Sequence, residues 1–226
     1  MSEVSLFEAE CLESMKLIHK GSSNQVQLRT YRDLRTRIQS QVSGGEVCLV
    51  VSPVTGGGAS TVVKNLAATF VLDPSKSALV IDCNFYTPSL DQLLPVQPEL
   101  GLLGLTDYLS DESVAIEDII YASGVARLRV TPAGGDLDSG TEKILSNRMR
   151  HFLSSVKSRY SDRVVFVDAP PANKYSAEVR VLASLCDCVL IVVPKGKVSD
   201  GDVQKSLELV DDPSKIIGTV LNNVRF

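Results

Sequence analysis

A run of three glycines constrains the fold of this chain more than any other feature. The run follows an apolar strand-like segment, residues 47–51, and precedes a segment with a helical pattern. A strand, a turn of bare backbone amides and a helix N-terminus together form a cradle for a phosphate group. The cradle comprises Gly56, Gly57, Gly58, Ser60 and Thr61. A P-loop normally carries a lysine directly before the Ser/Thr, and Ala59 takes that position here.

Composition and charge exclude several classes of function. The 226 residues carry a net charge of −4, which gives no global reason to expect a nucleic-acid partner. No apolar run approaches the roughly 18 residues that span a bilayer, and residues 1–3 open acidic rather than as a secretory signal. The five scattered cysteines, including Cys186 and Cys188 in one apolar run, are expected to be buried reduced thiols rather than a metal site. We therefore expect a cytoplasmic protein.

From residue 46 onward, short apolar runs alternate with helical segments. The predicted strands are 47–51, 78–81, 128–130, 164–167, 189–193 and 216–221, and the predicted helices lie near 60–72, 142–160, 176–184 and 201–210. This alternation is typical of a parallel sheet covered on both faces. We predict a three-layer, doubly wound, mainly parallel α/β fold of P-loop NTPase type over residues 46–226. Residues 1–45 are predicted to form an N-terminal helical arm.

Two helical patterns make up the arm. In residues 5–20, apolar residues recur at spacings of three and four, which fits either packing on the same domain or docking of a partner. The helix near 27–38 carries Arg29, Arg32 and Arg35 at every third position. Such a stripe is either a solvated face or a contact for a carboxylate-bearing protein surface.

Two further strand ends are candidates for the metal side of a nucleotide site. Asp168 follows a buried strand in the arrangement of a Walker B motif, in which the carboxylate faces Mg²⁺. Asp82 also follows an apolar strand, where it is either a metal-side or catalytic acid or a turn-forming residue. Asn84 has the shape of a carboxylate but no charge. Ser60 stands where a P-loop hydroxyl ligates Mg²⁺.

The missing lysine has a definite energetic consequence. A charge-assisted contact is worth roughly 1.5–3 kcal/mol, which corresponds to about one to two decades of phosphate affinity. Catalysis is expected to suffer more, because the lysine also meets charge that develops in phosphoryl transfer. Lys64, four positions after Ser60, is expected to point away from the anion site.

These motifs, in this order, resemble the bacterial tyrosine kinases (BY-kinases) of capsule and exopolysaccharide systems, within the MinD/ParA-like deviant P-loop group. The resemblance spans roughly residues 27–224. The matching segments are 31–38 with Arg32 and Arg35, 82–90, 101–102, 107–109, 132–134, 146–149, 168–171, 196–197 and 217–222. The resemblance implies a kinase that uses ATP and Mg²⁺, assembles into rings, and acts beside a membrane-spanning chain-length regulator.

The departures from this family all remove charge or chemistry. This chain has Ala59 at the position of the phosphate lysine and Asn84 at that of the second Walker A′ acid. Tyr86 takes the position of the arginine that commonly follows that acid. Arg29 occupies the position of the family's oligomerisation glutamate. The family phosphorylates tyrosines in its own C-terminal tail, whereas no tyrosine follows Tyr175 here.

The leading hypothesis is a catalytically degenerate, BY-kinase-like adaptor in exopolysaccharide or capsule synthesis and export. It would dock on an inner-membrane co-polymerase, or pair with a competent homologue, and so lie at the membrane through its partner. The alternative is an active kinase or ATPase in which Lys195, Lys197 or a neighbouring subunit supplies the charge. A MinD- or ParA-like positioning protein is a weaker third hypothesis, since residues 53–58 contain no lysine.

Overall fold

The computed structural model of the chain describes residues 6–41, 45–95, 101–135, 137, 140–159 and 163–223. The acidic opening at residues 1–3 lies outside the described residues, and so do residues 42–44 near the end of the predicted arm.

Seven strands form one sheet. They are β1 (Val47–Val51), β2 (Ser77–Asp82), β3 (Tyr121–Ala122), β4 (Leu128–Thr131), β5 (Arg163–Asp168), β6 (Cys188–Pro194) and β7 (Ile216–Asn222). Their order in the sheet is β3-β4-β2-β5-β1-β6-β7. All neighbours pair in parallel except β3 and β4. The carboxyl ends of the parallel strands therefore meet at one edge of the sheet, where ligands bind in folds of this type.

In the described ranges, eight helices connect or cover these strands. They are α1 (Ala9–Ser14), α2 (Gln25–Gln39), α3 (Ala59–Phe70), α4 (Leu105–Ser110), α5 (Gly140–Leu145), α6 (Asn147–Arg159), α7 (Ser176–Leu185) and α8 (Asp200–Leu207). Short 3₁₀ turns occur at Leu90–Leu93, Ile116–Ile119 and Pro213–Lys215. Within the described ranges, no helix has the length and apolar character needed to span a membrane.

The core consists of two layers, one on each face of the sheet. Alternate residues of a strand point to opposite faces, so Leu49 and Val51 join one layer while Cys48 and Val50 join the other. Helices α4 to α8 contribute to the first layer, and α2 and α3 to the second. The predicted three-layer, mainly parallel α/β fold is confirmed.

Several element boundaries differ from the sequence prediction. The predicted helix 142–160 is two helices, because the Ser146 hydroxyl accepts a hydrogen bond from the Met149 N–H at 3.2 Å and starts α6 anew. Strand β3 and helix α4 were not predicted. Both are short, and a two-residue strand carries no periodicity from which to recognise it.

The first arm segment packs on the same domain. Its helix, α1, covers only Ala9–Ser14, and Lys16 adopts a positive φ of 54° that ends the helical path. The chain after Lys16 packs against the sheet domain, where Leu17 and Ile18 are buried. The Ile18 N–H donates to Asn65 Oδ1 on α3 at 2.9 Å. These contacts favour packing on the same domain over docking of a partner.

The arginine stripe of α2 divides between two environments. Arg29 and Arg32 are exposed, whereas Arg35 is half-buried and its Nη1 donates to the carbonyl oxygen of Thr69 at 3.0 Å. A step of three residues rotates the helix face by about 60°, so the stripe turns inward by its third member. Arg35 therefore joins α2 to the C-terminal turn of α3, and only Arg29 and Arg32 present free guanidinium groups to a partner. The oligomer contact at Arg35 stays a prediction, and the structure adds an intramolecular contact for this side chain.

We expect Arg35→Ala to lower the free energy of unfolding by about 1–2 kcal/mol, because a charged donor leaves the last turn of α3. The matched variant Arg32→Ala, on the exposed part of the same stripe, is expected to change it by about 0.5 kcal/mol or less. Urea unfolding followed by circular dichroism measures both. Equal effects of the two variants would contradict the assigned contact.

Candidate nucleotide-binding site

Each glycine of the loop is required by the local geometry. Gly56 and Gly58 have φ angles of 69° and 91°, in the left-handed region that side chains disfavour. Gly57 lacks space instead, because a Cβ there would lie 1.8 Å from the Ser52 hydroxyl. The Gly57 N–H donates to the carbonyl of Val54 at 3.2 Å and closes the turn.

Helix α3 begins directly after this turn. Its N-cap is Gly58, which has no side chain with which to cap the helix. The first-turn amides of α3 therefore remain available to a ligand, and the positive end of the helix dipole adds to them. This arrangement suits an anion such as a phosphate group.

A cavity of about 290 Å³ lies over the loop. It is lined by residues 54–61 together with Ser52, Asn84, Thr87, Ala169 and Pro171. The structure thus brings together the predicted loop residues Gly56, Gly57, Gly58, Ser60 and Thr61. Lys197 is exposed on the loop after β6 and does not line the cavity, and the same holds for Lys195.

Asp168 is a fully buried carboxylate without a hydrogen-bond partner. It ends β5, it is 0% exposed, and neither of its oxygens accepts a hydrogen bond within the described part of the chain. Burial raises its pKa well above the usual value, and the Asp82 charge adds to this effect. The Ser60 hydroxyl and the Lys64 ammonium lower the pKa in part, although Ser60 does not reach hydrogen-bond geometry. Such a group is costly to the fold, which makes Asp168 a candidate functional residue.

Asp82 has a different environment from Asp168, although the two lie side by side in register on β2 and β5. The Asp82 carboxylate accepts backbone N–H bonds from Asn84 at 3.1 Å, Ser89 at 2.8 Å and Leu90 at 3.0 Å. Burial nevertheless raises its pKa to about 6. These three bonds favour the turn-forming alternative, in which Asp82 shapes the loop after β2.

Lys64 does not line the cavity, but its charge interacts with Asp168 and Asp82. Its Nζ donates to Gln92 Oε1 at 3.0 Å. Burial lowers the pKa of Lys64, while attraction to Asp168, Asp82 and Asp91 opposes that shift. Lys64 thus balances part of the buried negative charge without lining the phosphate cradle.

A polar aromatic cluster occupies the side of the site where the family arginine is expected. The rings of Tyr86 and Tyr175 are stacked, with centroids 3.5 Å apart and planes inclined by 9°. The Tyr86 hydroxyl donates to Glu178 Oε1 at 2.8 Å, and Thr141 donates to the same oxygen. The cluster joins the loop after β2 to α5 and α7, and it carries a carboxylate in place of a cation.

Two curated relatives that match this chain are named as tyrosine-protein kinases. The tyrosine-protein kinase CpsD of Streptococcus agalactiae is 26% identical over 195 residues, which cover 86% of this chain and 82% of CpsD. The putative tyrosine-protein kinase EpsB of Ralstonia solanacearum is 27% identical over 198 residues, but these are 25% of EpsB. No protein-family model matches the chain.

Solved structures share the fold. The kinase domain of Escherichia coli tyrosine kinase ETK superposes with a TM-score of 0.79 at 21% identity, over 99% of this chain and 89% of that domain. Apo McdA from Cyanothece gives 0.60 at 19% identity, over 78% and 71%. The chain is a homologue of the BY-kinases. Apo McdA thus shares the fold of this chain.

The residues of this BY-kinase homologue fit part of the Mg²⁺ and nucleotide that the resemblance implies. The unpaired oxygens of Asp168 and the adjacent Ser60 hydroxyl fit a hydrated divalent cation. The free amides of the glycine loop and the Thr61 position fit phosphate oxygens. Ala59 supplies no cation. The site therefore fits a metal-bound phosphate with the metal side more complete than the phosphate side.

Three residues that were not predicted as site residues contact the glycine loop or line its cavity. Ser52 lies beneath Gly57, and Thr87 joins the cavity lining while bonding Asn84 Nδ2 at 3.0 Å. Asn222, at the end of β7, donates to the Gly57 carbonyl. In the sequence, Ser52 follows a strand and Asn222 ends one. Neither position by itself predicts a contact with the glycine loop.

We expect the stability of the wild-type protein to fall as pH rises from about 4 to 8. The folded-state pKa values of Asp168 and Asp82 lie above the unfolded value of about 3.9. The folded state therefore holds protons that the unfolded state has released, and this stabilisation is lost as pH rises through the folded values. Asp168→Asn should reduce that loss, because one of the two raised pKa values is removed. Urea unfolding at several pH values measures it.

The control for this experiment is Asp33→Asn, an exposed acid on α2 that does not contribute to the pKa of either carboxylate. It should keep the wild-type pH profile. A profile of Asp168→Asn parallel to that of the wild type would show that the buried pair does not set the pH dependence.

Proposed function

We propose that this chain is a catalytically degenerate, BY-kinase-like adaptor or regulator in the synthesis and export of an exopolysaccharide or capsule. It acts in the cytoplasm, docked on the cytoplasmic segments of an inner-membrane co-polymerase, with a competent BY-kinase homologue or a second copy as further partners. Kinship with CpsD and EpsB supports the pathway. In this role the nucleotide site binds MgATP or MgADP weakly and does not transfer the phosphoryl group.

The observation that carries the proposal is the absence of a cation from the phosphate cavity. No lysine, arginine or histidine of the described residues lines it, and Ala59 occupies the lysine position. Phosphoryl transfer depends almost entirely on positioning and on stabilising the charge of the transferred group. A loop that offers only amides can hold phosphates, but it lacks the charge that the transition state requires.

The adaptor hypothesis is tested by titrating MgATP by calorimetry and assaying phosphate release. We expect weak binding and no turnover in the wild type. Ala59→Lys should tighten binding by about 10- to 100-fold, because an ammonium group at this position adds a charge-assisted contact to the phosphates. Lys197→Ala is the matched control and should leave binding unchanged, since Lys197 lies outside the cavity.

Tight binding by the wild type, with turnover that disappears in Asp168→Ala, would overturn the adaptor hypothesis. So would a loss of activity in Lys197→Ala at least as large as the gain in Ala59→Lys. Either result would instead favour an enzyme that draws its cation from outside the glycine loop.

The second candidate function is that enzyme, an ATP-dependent tyrosine kinase or ATPase of the same pathway. The observation in its favour is Asp168. A buried carboxylate with two unpaired oxygens destabilises the fold, and no group among the described residues satisfies it. Binding of a metal ion by Asp168 would offset this destabilisation, as expected of an active nucleotide site. Complete inactivity of the wild type with its partner present would exclude this candidate.

The docking role assigns a surface to the free part of the arginine stripe. We expect the double variant Arg29→Glu, Arg32→Glu to weaken binding to the cytoplasmic segment of the co-polymerase by about 10-fold, since each rim charge contributes on the order of 1 kcal/mol or less. Arg37→Glu, exposed near the end of the same helix, is the control. Calorimetry at two salt concentrations measures the affinities, and an unchanged affinity in the double variant would exclude this surface.

A further inference from the structure

Asn222 is the last residue of β7, at the edge of the sheet described here. It lies opposite Pro194 of β6, and its carbonyl accepts the N–H of Lys195 at 2.9 Å. This pairing places Asn222 at the carboxyl edge of the sheet, the same edge from which the glycine loop rises after β1. Its backbone is therefore fixed by β6 before its side chain makes any contact.

The side chain of Asn222 reaches across to the glycine loop. Its Nδ2 donates to the carbonyl oxygen of Gly57 at 3.0 Å. The same amide group lies 2.1 Å from the point that a Cβ on Gly58 would occupy. Asn222 and Gly58 thus fit against each other, and the amide covers the outer side of the peptide bond that joins Gly57 to Gly58.

This contact determines where the next amide points. The Gly57 carbonyl and the Gly58 N–H belong to one planar trans peptide, so the two bonds point in opposite directions. A carbonyl held outward by Asn222 therefore directs the Gly58 N–H to the other side. Gly58 lines the cavity, whereas Asn222 does not. The Gly58 N–H has no acceptor within the described residues and remains free for a ligand oxygen.

We propose that Asn222 is a positioning residue of the phosphate cavity, which holds the Gly57–Gly58 peptide with its N–H directed at the anion. In a loop that lacks the lysine, backbone amides are the main phosphate donors, so their direction matters more than it would beside a charge. The proposal deepens the function assigned to the cavity and rests, for its ligand, on a retained affinity for a metal-bound nucleotide. It also makes the shape of the loop depend on the seating of β7.

The test compares Asn222→Ala and Asn222→Asp with wild type in the full chain. The amide ¹⁵N–¹H signal and hydrogen exchange of Gly58 are recorded without ligand, and MgADP affinity is measured by calorimetry. Asn222→Ala is expected to speed exchange of the Gly58 amide about 10-fold and to weaken MgADP binding about 5- to 10-fold. Asn222→Asp should have the larger effect, because a carboxylate repels the Gly57 carbonyl.

Two controls separate positioning from a general loss of structure. Thr219→Ala, at an exposed position of the same strand, should leave the Gly58 signal and the affinity unchanged. The thermal midpoint of each variant should stay close to that of the wild type. Unchanged Gly58 shift and exchange in both Asn222 variants would overturn the proposal. Wild type that binds no MgADP would instead overturn the retained nucleotide affinity, while the ligand-free signals would still decide the role of Asn222.

Discussion

The pairing of β1 between β5 and β6 is the constraint on which the site depends. Every residue of β1 is buried, and its parallel register with both neighbours brings three strand ends to one edge. The glycine loop, Asp168 and the loop after β6 are placed there by backbone hydrogen bonds alone. The same packing removes Asp168 from water, so its unpaired carboxylate destabilises the folded state. Fold stability and site chemistry therefore oppose each other at this edge of the sheet.

The loop has kept its shape while losing its charge because the two depend on different contacts. Its shape comes from Ser52 beneath Gly57, the positive φ angles of Gly56 and Gly58, and the Asn222 amide. None of these contacts involves the lysine position. Ala59 is buried at the first position of α3, where a small residue with high helix propensity suits the fold. Replacement of the lysine thus removes chemistry without removing the phosphate cradle.

Local patterns predicted the sheet, the loop and the placement of Asp168, because apolar periodicity and glycine runs act within a few residues of sequence. The remaining features depend on contacts that no local pattern encodes. Arg35 turns inward only because α3 lies beside it, and Asp82 is occupied by amides up to eight residues further on. Asn222 meets Gly57 across 165 positions. The apolar stripe of residues 5–20 is half-buried over α1 and buried at Ile18, and the helix is shorter than the pattern predicted because Lys16 adopts the αL conformation.

The electrostatics of the cavity separate nucleotide binding from nucleotide turnover. Asp168 and Asp82 are buried at the carboxyl ends of β5 and β2, Glu178 is buried on α7, and the cavity lining holds no cation among the described residues. The loop amides and the start of α3 favour a phosphate anion, and the unpaired oxygens of Asp168 suit a divalent cation that accompanies it. Such a cation neutralises charge at the bound phosphates, but the charge that develops during transfer has no further partner in the loop. In the proposed adaptor role, this site would bind a metal-bound nucleotide without consuming it, which is the property that a regulator requires.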